Sequence, residues 1–177
     1  MPRQWIGADG RRCPQSGIAG VIAIGDGFVA LGEDEEDGAV WFSSDALNWD
    51  LVETSTAGTL FHQPSWITQH PADERLVALN YYGVWASPDG THWTQVHEYD
   101  GYSIPTHPDG TAAWFGDRLI AADPDTGIWS SGDGGATWAR HDWTDDGLPG
   151  APGTFVEHEG RLFAVGDSIW IGTPLSP

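Results

Sequence analysis

Short apolar runs, divided by Gly, Pro, Asp and Ser, recur along the chain in sets. Phe28-Val29-Ala30-Leu31, Leu76-Val77-Ala78-Leu79, Leu119-Ile120-Ala121-Ala122 and Leu162-Phe163-Ala164-Val165 are each followed by a second run centred on Trp. Those second runs are Val40-Trp41-Phe42-Ser43, Val84-Trp85-Ala86-Ser87, Ile128-Trp129-Ser130-Ser131 and Ile169-Trp170-Ile171-Gly172. An earlier run precedes each pair: Val21 to Ile24, Trp66 to Thr68, Ala112 to Phe115 and Thr154 to Val156. Runs this short, rich in β-branched and aromatic residues and bounded by turn formers, predict strands, and no stretch sustains a helical period. The set returns at a nearly fixed interval, with 44 residues from Trp41 to Trp85, 44 from Trp85 to Trp129 and 41 from Trp129 to Trp170.

A fourth strand is predicted after the next Trp of three units: Trp49-Asp50-Leu51-Val52, Trp93-Thr94-Gln95-Val96 and Trp138-Ala139-Arg140-His141. The last unit has none, but Arg3-Gln4-Trp5-Ile6-Gly7-Ala8-Asp9-Gly10 reads like the segment from Trp138 to Gly147 and supplies the missing strand. A four-stranded unit repeated at this length marks a β-propeller. The expectation is therefore all-β: a single propeller domain over residues 1–177, four blades of four antiparallel strands, the last closed by the N-terminal strand. The repeats fall at about 17–56, 57–100, 101–146 and 147–177 plus 1–10. An open arc completed by a second chain is the alternative.

Between the third and fourth strands lies the most specific local pattern: Ser43-Ser44-Asp45-Ala46-Leu47-Asn48-Trp49, Ser87-Pro88-Asp89-Gly90-Thr91-His92-Trp93 and Ser131-Gly132-Asp133-Gly134-Gly135-Ala136-Thr137-Trp138. In such a turn Asp accepts backbone N–H bonds, Gly allows positive φ and Trp packs over the hairpin. The pattern resembles the Asp-box, or bacterial neuraminidase repeat, of sialidase-like propellers, over nearly the whole chain. The resemblance implies that Asp45, Asp89 and Asp133 are fold residues on the face opposite an active site. Sialidases of that class grip the substrate carboxylate with three arginines and use a Tyr-Glu pair with an Asp acid/base, a set that does not map onto this sequence. Arg75, Arg118 and Arg161 step by 43 residues, which places them at equivalent turn positions instead of in one converging cluster.

Composition narrows the partners. Seven basic residues, all Arg, stand against 26 acidic ones for a net charge of −19. Nucleic acid and anionic membrane surfaces are excluded as partners, because both need clustered cations. A single cysteine, Cys13, allows no internal disulfide and no multi-thiolate metal site. The start, Met-Pro-Arg-Gln-Trp, lacks a signal-peptide pattern and the early apolar stretch from Gly17 to Gly25 is too short to span a bilayer, so a soluble protein is expected.

The remaining chemistry gathers in loops that enter each innermost strand or join the second and third strands. Tyr81 and Tyr82, with His62, Tyr102 and His107, form a candidate aromatic platform for a sugar or a protein side chain; Asp123 and Asp125 are candidate polar contacts. The acidic run Glu33 to Asp37 reads as a solvated loop without calcium-loop spacing, and the seven His have no HxxxH or HxH arrangement, so no metal or cofactor is expected. These features point to a non-enzymatic module that binds a protein or glycan through its loop face, within an assembly such as a viral or tail-like particle. A glycoside hydrolase or lyase using Asp123, Asp125 or Asp167 is the competing expectation.

Overall fold

The computed structural model describes residues 18–34, 37–52, 64–80, 83–98, 111–123, 127–141, 152–166 and 169–172. Their strands form four antiparallel sheets, each a meander in chain order. Sheet 1 holds β1 (Ile18–Ile24), β2 (Gly27–Asp34), β3 (Asp37–Ser43) and β4 (Asp50–Leu51). Sheet 2 holds β5 (Pro64–Gln69), β6 (Leu76–Asn80), β7 (Gly83–Ser87) and β8 (Thr94–Glu98). Sheet 3 holds β9 (Thr111–Phe115), β10 (Arg118–Asp123), β11 (Gly127–Ser131) and β12 (Ala139–His141), and sheet 4 holds β13 (Thr154–His158), β14 (Arg161–Val165) and β15 (Ile169–Gly172).

The predicted runs are these strands. The fourth strands begin one residue later than the pattern placed them, because Trp49, Trp93 and Trp138 turn their indole N–H groups back to the carbonyls of Ala46, Gly90 and Gly135 before the ladder starts. The acidic run also differs from the expected loop. Glu33 and Asp34 close β2, Asp37 opens β3, and the ladder pairs Glu33 with Gly38 and Asp34 with Asp37. Residues 3–8, the expected last strand, lie outside the described residues.

Register shows why one sequence period gives one packing unit. Alanine on each second strand faces the third-strand Trp: Ala30 opposite Trp41, Ala78 opposite Trp85, Ala121 opposite Trp129 and Ala164 opposite Trp170. Alternation then gives each sheet two different apolar faces. Val29, Leu31 and Val40 of sheet 1 pack against Leu76, Ala78, Trp85 and Trp93 of sheet 2. Val77, Leu79 and Val84, on the other side of sheet 2, pack with Trp114 and Leu119 of sheet 3. Ile120 and Ala122 then meet Phe155 and Ala164 of sheet 4. The first strands of neighbouring sheets also touch in series, β1 on β5, β5 on β9 and β9 on β13. Both sides of a middle sheet are covered, so β6 and β7 read as nearly continuous apolar runs; every residue of Leu76–Asn80 is buried.

Candidate functional site

Antiparallel topology sorts the connections to two ends of the sheets. The turns β1–β2, β3–β4 and their repeats lie at one end; the β2–β3 type connections and the long links into β5, β9 and β13 lie at the other. Of the expected binding residues, Tyr81, Tyr82, His62, Tyr102, His107 and Asp125 fall outside the described residues. Asp123 ends β10 and pairs with Gly127 across the sheet, so it stands at the long-link end. Asn80 and Gly83 mark the same edge in sheet 2, where Asn80 is fully buried. A Cβ on Gly83 would collide with the carbonyl oxygen of His97, so the backbone there is packed directly against the outer strand.

The opposite end is built around three carboxylates. Asp45 Oδ1 accepts the backbone N–H groups of Leu47 and Asn48 at 2.8 Å each, and its Oδ2 takes the Asn48 side-chain amide at 2.7 Å. Asp89 Oδ1 likewise accepts the N–H groups of Thr91 and His92 at 2.8 Å each, while His92 Nδ1 lies 2.7 Å from Oδ2. The third turn is one residue longer. Asp133 Oδ1 accepts the N–H of Thr137 at 2.9 Å and Oδ2 the Thr137 hydroxyl at 2.6 Å. Gly134 (φ 77°) and Gly135 (φ 95°) absorb the extra residue, and Ser131 Oγ still accepts the Gly135 N–H at 2.8 Å as Ser87 Oγ accepts that of Gly90. Ser43, Ser87 and Ser131, all buried, donate to the Asp carboxylates at 3.2, 3.4 and 2.8 Å.

These bonds set the acidity. The backbone N–H groups of Asn48 and Leu47 pull Asp45 down to about 2. At Asp89 burial pushes upward, but the His92 and Thr91 N–H groups outweigh it and hold the carboxyl well below the usual range. Asp133 is also lowered, burial again being outweighed, here by the Thr137 hydroxyl and N–H. Such carboxylates stay ionised at neutral pH with their lone pairs engaged by the turn. That suits a structural brace and not a proton donor.

The sequence pattern did not identify an inter-sheet cluster at this same end. His70, almost fully buried after β5, meets Trp114 of sheet 3 edge to face, with ring centroids 4.4 Å apart at 88°. His70 Nδ1 lies 2.8 Å from Asp73 Oδ1 and 3.3 Å from the N–H groups of Ala72 and Asp73. Arg75 lays its guanidinium 5.6 Å from the Trp114 ring centroid, with its Nε 3.6 Å from Asp73 Oδ2. A Cβ on Gly134 would sit 3.0 Å from Arg75 Nη1, so the glycine of the third turn makes room for the arginine of the preceding sheet. The 43-residue step of Arg75, Arg118 and Arg161 marks the position, but the contact with the neighbouring sheet is made by Arg75, while Arg118 and Arg161 are exposed.

Shallow concavities at this end are lined by Ile24, Phe42 and Leu76 with Asp26 and Glu74 at the rim (about 330 Å³), and by Thr68, Gln69, Trp114 and Glu157 (about 470 Å³). Among the described residues, no three His, Cys, Asp or Glu side chains gather as metal ligands, and no helix is long and apolar enough to cross a membrane.

Neither a protein-family model nor a curated protein matches the chain. Among solved structures it is similar to a GH74 xyloglucanase from Xanthomonas campestris, with a TM-score of 0.60 and 17% sequence identity over 96% of this chain. The chain spans 31% of that protein's length. At this identity the likeness concerns the fold alone, and together with the four meander sheets it identifies a β-propeller architecture.

Proposed function

We propose that the chain is a non-enzymatic binding or assembly module, an Asp-box propeller that recognises a protein or a glycan through its loop-rich end. Four blades over residues 17–56, 57–100, 101–146 and 147–177 carry it, the last completed by a strand from residues 3–8. The division of labour between the two ends supports this reading most directly. At one end the Asp45, Asp89 and Asp133 carboxylates are consumed in bracing their own turns, which stiffens sheets 1, 2 and 3. Rigid sheets then present the opposite loops with little ordering left to do on binding. Tyr81 and Tyr82 supply the contact area, His62, Tyr102 and His107 add aromatic edges, and Asp123 and Asp125 accept hydrogen bonds. Within a viral or tail-like particle, such a surface would serve attachment or assembly.

The similar xyloglucanase favours weighing a glycan, and with it the hydrolase reading. Both are tested on one sample by titrating the purified protein with a panel of soluble glycans while following reducing-end release. The module reading expects saturable binding without release, weakened about 10-fold by Tyr81→Ala or Tyr82→Ala, as loss of an aromatic contact worth roughly 1–1.5 kcal/mol requires. Release that disappears in Asp123→Asn or Asp125→Asn would establish a glycoside hydrolase instead.

A further inference from the structure

The repeat makes exposure informative, since each position has counterparts that show what its partner should be. The exposed large apolar side chains among the described residues all belong to sheets 1 and 4; sheets 2 and 3 contribute none. On sheet 4 they are Val156, Ile169 and Ile171. Register equates Val156 with Ile22, each opposite the residue before the second-strand Ala. Ile169 and Ile171 flank Trp170 as Val40 and Phe42 flank Trp41. Ile22, Val40 and Phe42 are the side chains by which sheet 1 packs on sheet 2. Val40 is fully buried there, whereas Ile169 is 69% exposed. Sheet 1 shows the converse. Val21 is the counterpart of Ile67, which packs onto the preceding sheet, yet Val21 is 54% exposed.

The turn tells the same story. Gly90 and Gly135 are buried against the preceding sheet, touching Val29 and Val84, and only glycine fits. Their counterpart in sheet 1 is Ala46, which keeps the positive φ (61°) but carries a side chain and is exposed. Among the described residues, sheets 1 and 4 thus expose the two complementary halves of the interface that the chain forms three times internally, and the exposed positions of sheet 1 are not covered by sheet 4 of the same chain.

From these faces we infer that two copies of the chain associate head to tail, the outer face of sheet 4 of one copy packing on the Val21 side of sheet 1 of the other. Two such junctions close a ring of eight sheets, within the usual four to eight blades of propellers. The inference is independent of what the loop end binds.

Sedimentation of the full chain across micromolar concentrations tests it. The expected mass is twice 19.1 kDa, dissociating on dilution. Val21→Glu and Ile169→Glu each bury an unpaired carboxylate at the junction and should raise the dissociation constant about 100-fold or more, giving monomers. Each variant retains the half the other has lost, so an equimolar mixture should recover a dimer with one sound junction. Near-UV circular dichroism of each variant checks that it is folded, and Val21→Thr with Ile169→Thr repeats the pairing if the Glu variants are not. A wild-type monomer at all concentrations, or variants that stay dimeric, would overturn the proposal. So would Val21→Cys with Ile169→Cys, in a Cys13→Ser background, cross-linking within a single chain.

Discussion

Gly90→Ala should be among the most damaging single-methyl changes the chain can suffer, for two reasons whose sizes can be worked from the structure. The residue has φ 78°, in the left-handed region, where an L side chain costs roughly 1–2 kcal/mol. Its Cβ would also overlap Val29 Cγ2, sit 3.0 Å from Ile24 Cδ1 and reach 3.4 Å from Leu76 Cδ1, all in the packed junction of sheets 1 and 2. Overpacking of this kind costs about 1–3 kcal/mol, so the total is about 2–5 kcal/mol out of a typical 5–15. For a chain of this size that is a fall in melting temperature of roughly 5–20 °C. Urea unfolding followed by tryptophan fluorescence reads it directly. Ala46→Gly is the internal control: the same φ region without the neighbours, expected to be neutral or to stabilise by up to about 1 kcal/mol. Val29→Ala removes the methyl that blocks the new Cβ, so the double variant should be less destabilised than the two single costs added, with a coupling of about 1 kcal/mol or more. Additive costs, or a Gly90→Ala cost below about 1 kcal/mol, would refute the account of the turn as a wedge between sheets.

Acid should weaken the fold in a defined window. Asp45 lies at about 2 in the folded chain, below the ~3.9 of an unfolded Asp, so its contribution is complete above that unfolded value and is lost as pH falls from about 4 towards 2. Asp89 and Asp133 shift the same way, so the urea midpoint should hold between pH 5 and 7, within roughly a unit, and drop below about pH 4; in Asp89→Asn the drop should shrink. Arg75→Ala should cost about 1 kcal/mol through the lost contact with the Trp114 ring and shift tryptophan emission, with Arg75→Lys recovering part of it, both checked by the same urea titration.

Most of the scaffold could be read from the residues because every level repeats the same instruction. The strand runs and the Ala opposite Trp return in all four units and the Ser-Asp-Trp turns in three, so an accident at one level would have been exposed at another. Boundaries were less legible where a side chain overrides the run: the three turn tryptophans delay the fourth strands, and backbone pairing carries β2 and β3 through acidic residues that composition assigns to a loop. The His70–Trp114–Arg75 cluster escaped because it joins side chains from neighbouring units whose distance in sequence carries no motif. The loop end was named only as residue types, since loops answer to a ligand and not to the period.

Departures from the repeat therefore carry more about interactions than the repeat does. A position that keeps its strand and its backbone angle but changes its side chain has changed neighbours. Ala46 keeps the left-handed turn of Gly90 and Gly135 while adding a methyl group, which is admissible only where no preceding sheet presses on it. Ile169 keeps the apolar character of Val40 and Val84 while standing in solvent, and 19 net negative charges per chain do not account for a preserved isoleucine on a surface. Charge of that size also opposes self-association, so the head-to-tail junction should tighten as added salt screens the two chains, the reverse of what a junction held by ion pairs would do. A junction weakened by salt would mean that charge, and not the apolar faces of sheets 1 and 4, holds the copies together.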